Sequence, residues 1–104
     1  MTFADKLRSL PSIDHLAAVQ LLNTEGQVVA IIPNQPGKAG SARIYHALQV
    51  KHGCIHTAAA QEGLELFAEH TATARVHPGS HPNIDRLLEI IATGAIYQVQ
   101  PISA

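Results

Sequence analysis

The sequence predicts an α+β domain. It is a small antiparallel three-stranded sheet, an N-terminal hairpin plus a C-terminal strand, packed with about four helices in the order α-β-β-α-α-α-β. Three observations predict it. Two short apolar runs, "HLAAVQLL" at 15–22 and "QVVAII" at 27–32, are joined by "NTEG", which reads as a hairpin. Four other segments repeat their apolar residues at helical spacing and are set apart by proline or glycine. The closing run "AIYQVQ", 95–100, alternates again.

Residues 2–9 read as a first helix. Thr2 is placed to cap it, and Phe3, Leu7 and Leu10 fall on one side. Pro11 stops it. In the hairpin, Asn23 opens the turn and Gly26 takes the left-handed conformation that closes it. The second strand is apolar on both faces, so it is expected to be covered on both, by helices or by another subunit.

"PNQPGKAGS", 33–41, breaks the chain. Ser41 is the expected N-cap of a helix "ARIYHALQVK" with Ile44, Ala47 and Leu48 on its buried face. Lys51 and His52 suit its last turn, and Gly53 follows as its C-terminal stop. Residues 57–74 read as the longest helix, capped by Thr57. Ala60, Leu64, Phe67, Thr71 and Ala74 form its buried stripe, and Glu62, Glu65 and Glu69 its wet face. Gly63 in mid-helix costs about 1 kcal/mol against alanine, so it is expected where another backbone comes close. The next helix starts near Pro82, with Ile84, Leu87, Leu88 and Ile91 in a clean apolar pattern, and ends at Gly94. In the last strand, Pro101 and one polar face point to a sheet edge.

The chain has 104 residues, 46% hydrophobic and 14% charged, and reads as a single domain over 1–104. It has no Trp, two Phe and two Tyr, so the core must be aliphatic. Seven Lys and Arg face eight Asp and Glu, with no basic cluster. That balance gives no footprint for nucleic acid or an anionic membrane. The longest apolar run, "VVAII", is far too short to span a bilayer. The first residues lack an apolar signal region, and the single cysteine, Cys54, cannot form an intrachain disulfide. The expected compartment is the cytoplasm.

Seven histidines in 104 residues direct any chemical reading. "HPGSHP", 77–82, is read first as a loop that stops one helix and starts the next. It is also the best address for a site. His77 and His81 are four apart, but the prolines deny them one helical face, so a metal would need them to converge with His70. "HGCIH", 52–56, offers His52, Cys54 and His56 as soft ligands, at a spacing too tight for a structural zinc site. Cys54 is read as a small hydrophobe rather than a nucleophile. "PGKAGS", 36–41, follows a strand and opens a helix, where backbone N–H groups and Lys38 would hold a phosphate or carboxylate, although the order of residues is not that of a P-loop. The glutamates are spaced as a solvated face, not as an acid–base pair. The candidate ligand-binding residues are therefore His70, His77, His81, Lys38 and Ser41. No cofactor is expected, no metal beyond the His70, His77, His81 alternative, and no catalytic set is assigned.

The runs "PGKAGSARIYHAL", "AAAQEGLELFAEHTATARVHPGSHPNIDRLL" and "YQVQP" resemble a family of small bacterial proteins labelled domain of unknown function 2322. The resemblance covers nearly the whole chain. It implies a cytoplasmic bacterial protein of about this length with one α+β domain, and it brings no activity and no catalytic residues. Two main readings of function follow from the residues, with a redox role for an exposed Cys54 thiol as a third. One is a non-enzymatic association module, a homodimer that covers the second sheet face. The other is a binder of a small ligand, anion or metal, or an enzyme, using segments 70–81 and 36–41.

Overall fold

The turn at 23–27 shows how locally the hairpin is specified. The Asn23 side-chain oxygen accepts from the N–H groups of Glu25 (3.0 Å) and Gln27 (2.9 Å), and Gly26 sits at φ 81°. In this computed structural model, which describes residues 1–104, the turn joins strands β1 (Leu16–Leu22) and β2 (Val28–Pro33). The C-terminal strand β3 (Gln98–Ser103) pairs with the other side of β1, giving an antiparallel sheet of order β2-β1-β3. Five helices complete it: α1 (Phe3–Arg8), α2 (Ala39–His52), α3 (Thr57–Phe67), α4 (Glu69–Val76) and α5 (Pro82–Thr93). This is the expected α+β fold. No helix is long and apolar enough to cross a membrane.

Several boundaries differ from the sequence expectation, each for a local reason. Helix α2 starts two residues before Ser41, with Lys38 at the N-cap position and no side chain capping it. Ser41 therefore lies in the first turn and is not the cap. At α3 the cap is His56, whose Nδ1 accepts from the Ala59 N–H at 3.1 Å, and Thr57 is the first helical residue. The expected helix 57–74 is two helices, because the helical backbone breaks at Ala68, φ 50°. The buried stripe of Ala60, Leu64, Phe67, Thr71 and Ala74 nevertheless holds across the break. The last strand runs from Gln98 to Ser103 rather than over 95–100. Upstream of it, Tyr97 makes an isolated bridge to Ile55, outside the sheet.

The core lies between the helices and one face of the sheet. Val19 and Leu21 of β1, Ile32 of β2 and Val99 of β3 meet Ile44, Tyr45 and Leu48 of α2, with α3 and α5 behind. Side chains alternate along a strand, so Ala18, Gln20 and Leu22 point to the opposite face. Their register partners there include Ile31, Val28, Gln100 and Gln98. No helix covers this second face. Val28, Val29 and Ile31 are 50%, 48% and 58% exposed.

The two sheet edges differ. On β3, the Val99 N–H donates to the Gln49 side chain at 2.8 Å, Pro101 has no N–H, and Tyr97 is occupied by Ile55. That edge is closed, as expected from Pro101. On β2, the Asn34 N–H donates to Ala17 C=O at 2.9 Å. Antiparallel pairs alternate between bonded and unbonded, so the backbone of Ile31 and the carbonyl of Pro33 point away from β1. The β2 edge is open.

Candidate functional site

Two loops place the candidate residues. The first, 34–38, is pinned at its start. The Asn34 side-chain amide donates to Ile13 C=O (3.0 Å) and Leu16 C=O (2.9 Å). Gly37, at φ 86°, then turns the chain into α2, and Lys38 and Ser41 follow. The second loop is the histidine-proline segment. The Ser80 hydroxyl donates to His77 C=O at 2.7 Å, and the Gly79 N–H donates to the Asp85 carboxylate at 2.9 Å. His81 C=O accepts from the N–H groups of Ile84 and Asp85, which begins α5. The segment is thus a helix-stop and helix-start loop, folded by Asp85 from the helix it introduces.

These loops meet. Lys38, Ser41, His81 and Arg86 line a cavity of about 410 Å³, walled on its apolar side by Ile32 and Phe67. A smaller cavity of about 230 Å³ adjoins it and shares Gly37, Ser41, Phe67 and His81. His70 lines this second one. Its ring lies 5.3 Å from that of His81 and stands edge-on to Phe3 at 4.7 Å. Four of the five sequence candidates, Lys38, Ser41, His70 and His81, therefore share one address. His77 does not: it is exposed at the end of α4. No three His, Cys, Asp or Glu side chains come together as a metal-binding group, so the trio His70, His77 and His81 does not assemble.

Sequence reasoning missed Arg86 and its support. Tyr45 is fully buried in α2 and donates its hydroxyl to Asn83 C=O at 2.5 Å, on α5. Arg86 lies against it, with one Nη 3.4 Å from the Tyr45 oxygen and 2.9 Å from the Asn83 side-chain oxygen. The guanidinium carbon is 5.8 Å from the Tyr45 ring centre. Burial pushes the Tyr45 hydroxyl up to about 12, opposed by the Arg86 charge, so it stays a neutral donor at neutral pH.

The other cluster is structural in its contacts. His52 lies 3.3 Å from Glu62, which accepts from Lys51 at 2.8 Å, and the hydrogen bond from Lys51 holds the Glu62 carboxyl below its ordinary range. The His56 ring is 5.2 Å from that of His52, and one of its nitrogens caps α3. Cys54 is a half-buried free thiol. No hydroxyl or thiol is hydrogen-bonded to a histidine ring nitrogen, which is the contact an activated nucleophile would show; the Ser80 hydroxyl meets only the His77 backbone carbonyl. What the cavity offers is positive charge: Lys38 and Arg86 line it, and no Asp or Glu does.

The model of one protein family, described as an uncharacterized protein conserved in bacteria (DUF2322), matches residues 3–101. No curated protein and no solved structure matches the chain.

Proposed function

The chain belongs to this bacterial family of uncharacterized proteins, DUF2322, and on that premise we propose that it works as a self-associating module whose open sheet face meets a second copy. The observation that supports this reading is the uncovered face itself. Val28 and Ile31, the register partners of Leu22 and Gln20, stand about half exposed on one edge strand. Apolar residues grouped in this way mark interaction surfaces more often than scattered ones do.

The second copy is favoured as occupant by charge. The residues that share the open face through their register, from Ala18, Gln20 and Leu22 outward to Ile31 and Gln100, include no charged side chain. A neutral face lies against its own copy without like-charge repulsion, as a two-fold interface requires. The edges add a direction. β3 is closed by Gln49 and Pro101, whereas β2 leaves backbone groups free, so contact is centred on β2.

Light scattering of the untagged chain at micromolar concentration tests the reading, with the mass of a dimer expected. Ile31→Lys places an unpaired charge from each copy in the contact, and the expected product is a folded monomer. A monomeric mass for the parent chain overturns the proposal.

A further inference from the structure

The cavity between the starts of α2 and α5 gathers positive charge in a chain whose formal net charge is -1. The cation–carboxylate pairs of the chain lie elsewhere, Arg8 with Asp5 and Lys51 with Glu62. Lys38 and Arg86 have none. Both line the cavity, and neither it nor the adjoining one carries an acidic side chain.

Arg86 is the informative residue. A surface arginine normally moves freely, and fixing it costs entropy when a ligand binds. Here one Nη is already held by the Asn83 side chain and by Tyr45, itself fixed to Asn83 C=O. The Nε and the second Nη meet no acceptor in the chain, so a half-buried, positioned guanidinium keeps donors in reserve. Lys38, across the cavity on a different element, has its ammonium free. The backbone adds to this without carrying it. The N–H groups of Gly40, Ser41 and Asn83 find no acceptor, because they are first-turn positions of helices without side-chain caps.

We infer that this cavity binds the phosphate group of a small phosphomonoester. Two cationic side chains in a lining without Asp or Glu match the charge of a dianion, and the unspent side of a guanidinium fits phosphate oxygens. About 410 Å³ lies in the range of small-molecule sites. The carbon part of the ligand would lie on Ile32 and Phe67, toward the His70 and His81 rings of the adjoining cavity. The inference does not rest on self-association, since a monomer has the whole cavity.

Isothermal titration of the full chain with glycerol phosphate, inorganic phosphate and succinate tests it. Saturable binding is expected, tightest for glycerol phosphate and weakest for the dicarboxylate. Lys38→Gln and Arg86→Gln are each expected to weaken it about tenfold, the scale of one charge-assisted hydrogen bond. Lys51→Gln, which removes a cation outside the cavity, should change nothing. Arg86→Gln also disturbs the Tyr45 contact, so Lys38→Gln, an exposed side chain bonded to nothing, keeps the test if that variant unfolds. Three results overturn the inference: no saturation at millimolar glycerol phosphate, equal affinity in Lys38→Gln, or equal weakening in Lys51→Gln. Tighter binding of succinate than of glycerol phosphate overturns the phosphate assignment.

Discussion

Ala68 is the one residue other than glycine with a positive φ, at φ 50° and ψ −121°. Its neighbours impose this. The buried Thr71 hydroxyl donates to Leu64 C=O at 2.6 Å, taking the acceptor that a continuing helix would offer to the Ala68 N–H, which turns instead to Glu65 C=O at 3.1 Å. A β-carbon in such a conformation costs about 1–3 kcal/mol. Ala68→Gly is therefore expected to stabilise the fold by about 1 kcal/mol, after the extra entropy of an unfolded glycine is set against the relief. Urea denaturation measures it, and a lower midpoint would show that Ala68 carries no strain. Nothing in "LFAEHT" announces this break, because alanine is the best helix former and the apolar stripe runs on through it. The candidate site divides in the same way. Lys38, Ser41 and His81 were legible because glycine and proline marked the loops around them; His70, inside α4, enters only through a metal trio that does not assemble. Arg86 was not, since its position depends on Tyr45 and Asn83 packing together from two helices, which no local spacing records.

Between elements, one close fit is where α3 crosses α2 and α5. A β-carbon on Gly63 would lie 2.7 Å from Leu87 Cδ1 and 3.0 Å from Leu48 Cδ1. The sequence marks Gly63 as a close approach, and so it is, but to side chains rather than to a backbone. Both leucines are fully buried, so neither methyl can swing into solvent. Two effects oppose each other in Gly63→Ala. Helix propensity gains about 1 kcal/mol. Overpacking a filled core costs about 1–3 kcal/mol. The second is the larger, and a net loss of about 1 kcal/mol is expected in urea denaturation; a gain would mean the leucines repack freely. Elements bounded by glycine or proline, such as the hairpin at Gly26, α5 between Pro82 and Gly94, and the end of α2 at Gly53, were legible because those residues set backbone geometry by themselves. Starts that rest on a polar side chain were legible only in part: Thr2 caps α1 as its position predicts, accepting from the Asp5 N–H, whereas at α3 His56 took the role that the sequence offers to Thr57.

The molecule as a whole is a one-sided sandwich, helices on one face of a sheet whose other face is open; the apolar character of both faces of β2 predicts cover on both, and a single chain covers only one. Tyr45 ties the helical layer together across α2 and α5, and it makes global stability depend on alkaline pH. Its hydroxyl ionises at an ordinary value of 10.0 when unfolded and is pushed up to about 12 by burial in the fold. Below pH 10 both states are neutral and the contribution is complete. Between about 10 and 12 the unfolded chain binds fewer protons than the folded one, so stability falls as pH rises. A gap of this size corresponds to roughly 3 kcal/mol, a substantial part of the roughly 5–15 kcal/mol that holds such a domain together. The acidic side has the opposite slope. Burial, helped by His15, holds His46 below its ordinary 6.5, so its contribution is present above that value and is lost as pH falls through the folded one. Urea unfolding across the alkaline range separates the tyrosine term. Tyr45→Phe keeps the ring and removes the hydroxyl bonded to Asn83, so it should start about 1 kcal/mol less stable at neutral pH. Above pH 10 it should then decline less steeply than the parent, and the two curves should cross, because the parent's loss of roughly 3 kcal/mol exceeds its lead of about 1 kcal/mol. If both fall in parallel, the alkaline loss belongs to other groups, and Tyr45 is not what holds α2 to α5.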